Sequence, residues 1–174
     1  MIKKILLGFI AIIALLVVVF FAIGLMFPTL TTETGVTINK PRDVVWQYFT
    51  DQSKLKDWLP NVKSIENISG EPMTAGSKFK ITFEENGDRI VMTETMTEVK
   101  ENEVFAFTLE NDVITANDRL TFIDKGDKTE VVENNTFTGG NIFWRSLFAV
   151  MKSNFEKKSA ENYQKLKTKI EHIK

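Results

Sequence analysis

Residues 36–60, VTINKPRDVVWQYFTDQSKLKDWLP, carry the change of rhythm on which the fold turns. Gly35 to Asn39 (GVTIN) predicts a short strand. Pro41 then suits the first turn of a helix, where its missing N–H would have no partner anyway. Asp43 favours the positive end of that helix. Val44, Val45, Tyr48 and Phe49 recur at helical spacing. SKLKDWLP predicts a second short helix, with Ser53 as its cap and a stop before Pro60.

Downstream, from Val62 to Gly140, the period becomes two. Lys78–Phe83 alternates through Phe79, Ile81 and Phe83, and Arg89–Val99 places Ile90, Met92 and Met96 on one face. Val104–Leu109, Ile114–Ile123 and Thr129–Phe137 continue the pattern through Phe105, Phe107, Leu120, Phe122, Val131 and Phe137. The breaks between them hold turn residues, as in Glu85-Asn86-Gly87-Asp88 and Lys125-Gly126-Asp127. Consecutive strands with short turns imply an antiparallel meander rather than βαβ units. After Gly139-Gly140 the helical period returns. Leu147, Met151, Phe155, Tyr163, Leu166, Ile170 and Ile173 form one stripe, which must pack on something, and the sheet is the large partner at hand.

Upstream, Ile5 to Phe27 (ILLGFIAIIALLVVVFFAIGLMF) contains no charged residue. About 20 apolar residues cross a bilayer core of roughly 30 Å, so residues 1–28 read as a transmembrane anchor ended by Pro28. A cleaved signal peptide, for which Ala22 and Gly24 offer small residues, stays open as an alternative. Its apolar core is ordinarily shorter, about 7–15 residues. Lys3 and Lys4 precede the span, and the next basic residue is Lys40. The positive-inside rule therefore predicts a single-pass protein of a bacterial cell membrane, N-terminus cytoplasmic and domain outside. Thr29 to Glu33 reads as a polar linker to one domain, residues 29–174.

Formal net charge is −1, which argues against nucleic acid as a partner. The charge is uneven: residues 29–140 hold 12 Lys/Arg against 20 Asp/Glu, and residues 141–174 hold 8 against 3. Oligomeric state cannot be read from these features.

The pieces VTINKPRDVVWQYFTD, LKDWLPNV, GSKFKI and FWRSLFAVMKSNFEKKSAENYQKLK resemble the START-like (SRPBCC) superfamily, which includes polyketide cyclases and dehydratases, birch-allergen relatives and lipid-transfer domains. The resemblance covers residues 33–172. It implies an α+β helix-grip fold: a curved antiparallel sheet wrapped around a long C-terminal helix, with a cavity between them. Abundant Phe (14) and Met (6) could line such a space. Phe83, Met92, Met96, Phe107, Phe122 and Met151 fall on phases expected to face it, with Trp58 or Trp144 near its mouth.

Little in the sequence points to catalysis. The single histidine is His172, two residues from the end, and there is no cysteine. No transition-metal cluster, cofactor loop or nucleophile elbow is expected. The candidates for acid–base work are Glu94, Asp118 and Glu133, which share strand faces with apolar residues. Buried there, they would have raised pKa values; near strand ends they would stay solvated, or pair with a neighbour such as Arg119. The leading expectation is binding of a hydrophobic small molecule or lipid without chemistry. A cyclase- or dehydratase-like enzyme, and an interaction module like the Hsp90-activator relatives of the fold, are the alternatives.

Overall fold

Strand pairing decides the architecture. The computed structural model describes residues 2–85 and 87–173. After a long apolar helix α1 (Ile2–Met26) come β1 (Leu30–Ile38), α2 (Arg42–Thr50), a 3-10 turn (Gln52–Lys54) and α3 (Leu55–Trp58). Six strands follow: β2 (Val62–Ser69), β3 (Lys78–Glu85), β4 (Asp88–Lys100), β5 (Val104–Glu110), β6 (Ile114–Asp124) and β7 (Thr129–Gly139). The chain closes with α4 (Ile142–Glu171). The seven strands form one antiparallel sheet in the order β1-β7-β6-β5-β4-β3-β2. This is the α+β helix-grip arrangement, with α4 held against the sheet.

Period-two alternation explains which face is inside. Phe79 and Ile81 on β3, Met96 on β4, Phe105 on β5, Leu120 and Phe122 on β6 and Val131 on β7 are all buried. They meet Val45, Trp46 and Phe49 of α2 and Tyr163, Leu166 and Ile170 of α4 in the main core. Trp46 and Phe49 meet Phe105 and Phe122 edge-on, the arrangement aromatic rings prefer. A smaller cluster joins Leu30, Ala116, Phe137 and Phe148 at the other end of α4.

Several local expectations differ from the structure. The polar stretch Thr29–Glu33 is not a linker: β1 already begins at Leu30, which pairs with Phe137. Its threonines are β-branched, which suits a strand that shares its register with β7 throughout. Asp51, not Ser53, opens the second short helical segment; its side chain accepts from the Ser53 N–H at 2.9 Å. β2 shows no clean alternation because it is a bulged edge strand, exposed from Glu66 onward. Ile90 is exposed because it lies near the β3–β4 turn, beyond the core. Asn86, expected in that turn, lies outside the described residues.

α4 also differs in phase at its N-terminal end. Ile173, expected on the stripe, lies beyond the last residue of the helix and is exposed, while at the N-terminal end Ser146 and Phe148 are buried and Leu147 and Met151 half-buried. The reason is a second partner. The C-terminal turns of α1 pack on the start of α4, with Phe20 and Phe143 ring centroids 5.8 Å apart. Gly24 makes this possible, since a Cβ there would overlap Ser146 Oγ and sit 2.8 Å from the Ile142 carbonyl oxygen. Small residues allow helix backbones this close approach. At its other end α4 is tied to β1: Glu171 accepts from both the backbone and side-chain N–H of Asn39, each at 2.7 Å.

Candidate functional site

On the inner face of the sheet, residues two apart along each strand lie in transverse rows about 7 Å from one another. The registers place one carboxylate in each of three adjacent rows. The first runs Phe79, Glu94, Leu109, Ala116, Phe137 across β3 to β7. The second runs Met96, Phe107, Asp118, Asn135 and on to Thr32 of β1. The third runs Phe105, Leu120, Glu133, Thr34. A diagonal polar band thus crosses an otherwise apolar surface.

The band borders open space. Two adjoining lobes lie between the sheet, the short helices and α4. One, of about 280 Å³, is walled by β3–β5 residues such as Ile81, Phe83, Met96 and Phe107 and carries Glu94 and Asp118. The other, of about 300 Å³, reaches toward Phe155, Ser159 and Tyr163 of α4 and carries Glu133. Phe49, Trp58, Leu59, Phe107, Ala116 and Asn135 line both, so the lobes form one bent cavity. A ligand pocket ordinarily has about 300–1,000 Å³.

Burial governs the titration of this band. It pushes Glu94 up to about 7, with burial the single cause. Asp118 rises to about 8, first through burial and then through the nearby negative charge of Glu133, against the lowering effect of a hydrogen bond from Asn135 Nδ2. Glu133 is raised by burial, opposed by hydrogen bonds from Ser159 Oγ at 2.8 Å and the Tyr163 hydroxyl at 2.9 Å. The Tyr163 phenol is itself held well above its usual range, by burial and then by Glu133. Glu133 therefore fastens α4 to the sheet while Glu94 and Asp118 face the cavity.

Two buried polar atoms on the shared wall have no hydrogen-bond partner among the described residues: Trp58 Nε1 and Asn135 Oδ1. An unpartnered buried donor or acceptor costs about 1–3 kcal/mol, so such atoms are uncommon away from places that receive a ligand or water.

Of the six apolar residues expected to face the cavity, Phe83, Met96 and Phe107 line it. Phe122 is wholly buried in the ring cluster with Trp46 and Phe49, while Met92 and Met151 lie away from both lobes. Trp58 is on the wall, and Trp144 instead stacks on Phe148 in the smaller cluster. Arg119 pairs with none of the three inner carboxylates. It points outward to Glu98 across the sheet and holds that group down to about 2. Residue type alone does not single out Asn135, although it keeps the same strand phase as Glu133 and Phe137. No group of His, Cys, Asp and Glu among the described residues could hold a metal ion.

The family described as polyketide cyclase / dehydrase and lipid transport matches residues 29–171. No curated protein sequence matches the chain. Among solved structures, the Zhui aromatase/cyclase of Streptomyces sp. R1128 is 15% identical with a TM-score of 0.65, over 82% of this chain and 94% of that one. A Thermus thermophilus protein is 17% identical at TM-score 0.66, over 81% and 97%. Norcoclaurine synthase of Thalictrum flavum, solved with dopamine and hydroxybenzaldehyde, is 14% identical at TM-score 0.60, over 84% and 89%. At these identities the likeness is one of fold.

Proposed function

The chain belongs, over residues 29–171, to the polyketide cyclase / dehydrase and lipid transport family, and from that premise we propose that it holds a hydrophobic small molecule or lipid in the bent cavity, tethered to a membrane by α1 and without altering its ligand. The observation that carries this reading is the cavity itself: an apolar interior left open where a purely structural core would be filled to crystal-like density. Tethering is supported by the composition of α1, whose first 18 described residues, 2–19, are exposed and almost wholly apolar. A carrier held at a bilayer meets lipid-like ligands at raised effective concentration.

The test uses the full chain in lipid nanodiscs with an apolar fluorescent probe. Stoichiometric binding is expected, and Met96→Trp should fill the sheet-side lobe and weaken it at least tenfold while the circular dichroism spectrum is kept. Absence of probe binding, or binding indifferent to Met96→Trp, would overturn the reading.

One observation favours a second reading. Glu94 and Asp118, raised to about 7 and about 8, are poised to exchange protons near neutral pH. A cyclase- or dehydratase-like reaction would use them. In that case Glu94→Gln or Asp118→Asn should remove turnover while ligand binding survives.

A further inference from the structure

We propose that the cavity is built for an amphiphile whose polar end is a protonated amine, seated between Glu94, Asp118 and Asn135 Oδ1, and that it turns away fatty acids. This rests on the ligand-binding reading above and names the chemistry of its ligand.

The argument starts from the charges that face the cavity. β4 contributes Glu94, β6 Asp118 and β7 Glu133; α2, α3 and β1 contribute no ionisable lining residue. α4 contributes Tyr163 and one cation, Lys158, which is exposed at the rim and already paired with Glu85. Three carboxyl groups therefore border an apolar space into which, among the described residues, no committed counter-charge reaches. A buried carboxylate without a cation is strongly disfavoured, so burial favours the protonated form of Asp118 at neutral pH and brings Glu94 to the middle of its titration there.

Hydrogen-bond valence distinguishes these groups. Both oxygens of Glu133 are occupied, by Ser159 and Tyr163. Asn135 engages only Oδ1 of Asp118. The wall thus offers acceptors at Asp118, Glu94 and the unpartnered Asn135 Oδ1, and one unpartnered donor, Trp58 Nε1, on a side chain 5% exposed. An ammonium group supplies several N–H donors and a positive charge together. A hydroxyl or ether oxygen close to it on the ligand would accept from Trp58 Nε1.

Binding then has a definite proton balance. The O–H bond of a buried carboxyl breaks, its proton leaves to solvent, and the amine keeps its own proton as the counter-ion of the carboxylate formed. A fatty acid carboxylate would bring a negative charge beside carboxyl groups that burial already keeps from ionising, and would have to enter protonated.

The experiment compares decylamine, decanol and decanoate as competitors of an apolar fluorescent probe on the full chain in nanodiscs of neutral lipid at pH 7. Empty nanodiscs correct for partition into lipid. Decylamine should displace the probe at a concentration at least tenfold below decanol and decanoate. Its heat of binding should change with the ionisation enthalpy of the buffer, as proton release requires. Asp118→Asn with Glu94→Gln should erase the preference for the amine while decanol still competes. If decanol or decanoate matches decylamine on the native chain, the amine proposal falls and the carrier reading stands. If the probe itself does not bind, both fall. The ranking on the native chain needs no variant, so a misfolded variant leaves the test intact.

Discussion

The two ends of α4 do different work. Toward the C-terminus, Leu166 and Ile170 are fully enclosed and Tyr163 nearly so, between the sheet and α2. Toward the N-terminus, Phe143 and Val150 are 46% and 59% exposed, and the close packing there is against α1. The cavity lies between these regimes, where the half-buried Phe155 meets Phe137 and Phe148 edge-on. A single amphipathic helix thus passes from core to cavity wall to a surface shared with the apolar α1. Its stripe shifts by one position along the way because its partner changes.

This contrast can be broken most directly at Leu166. Leu166→Ala should cost about 3–5 kcal/mol in chemical denaturation, and a loss below about 1 kcal/mol would mean the C-terminal end is not the core. The next test is pH. Asp118 is raised in the folded chain from 3.8 to about 8, so the folded state binds the proton that the unfolded state has released. Stability is therefore greatest below about pH 4 as far as this group is concerned, and falls as pH rises toward 8. A shift of this size corresponds to at most about 5–6 kcal/mol. Asp118→Asn should flatten the decline; an unchanged slope would place the carboxyl in solvent.

Phe155→Ala should cost about 1–2 kcal/mol, less than the 3–5 kcal/mol of a fully enclosed phenylalanine, because one side of the ring already faces open space. A loss near 4 kcal/mol would extend the core to the middle of α4. At the far end, Val150→Ser should change stability by less than about 0.5 kcal/mol. A larger loss in nanodiscs than in detergent-free denaturant would show the bilayer acting on that face.

Much of this was visible in residue periodicity. β3 to β7 and the C-terminal half of α4 follow their alternation and stripe, and the inward phase of Glu94, Asp118 and Glu133 follows from counting by two. β2 and the first residues of β1 were not visible, since an edge strand and a threonine-rich strand show little apolar contrast. The phase change in α4 was hidden because it depends on α1, far away in sequence. Nor could periodicity reveal the hydrogen bonds of Ser159 and Tyr163 to Glu133, or the unpartnered atoms of Trp58 and Asn135. Those depend on which elements meet, which strand parity does not encode. Strand phase likewise assigned Phe122 to the cavity wall, whereas the ring cluster with α2 encloses it.

The contact of Gly24 with Ser146 bears on how the domain would stand on a membrane. Only residues 27–29 separate α1 from β1, a reach of about 10 Å, and Thr138 donates a hydrogen bond to the Pro28 carbonyl beside them. With α1 also clasped along the start of α4, the domain has neither slack nor a swivel. Under the proposed tethering it would behave as a mast rather than a flag, with its cavity at one height and one azimuth above the lipid. Such a protein cannot ferry cargo across a gap by swinging. Donor and acceptor must come to it, so exchange would be set by what diffuses in the plane of the membrane past a stationary opening. Gly24→Leu, which wedges the two helices apart, would loosen the mast without touching the cavity.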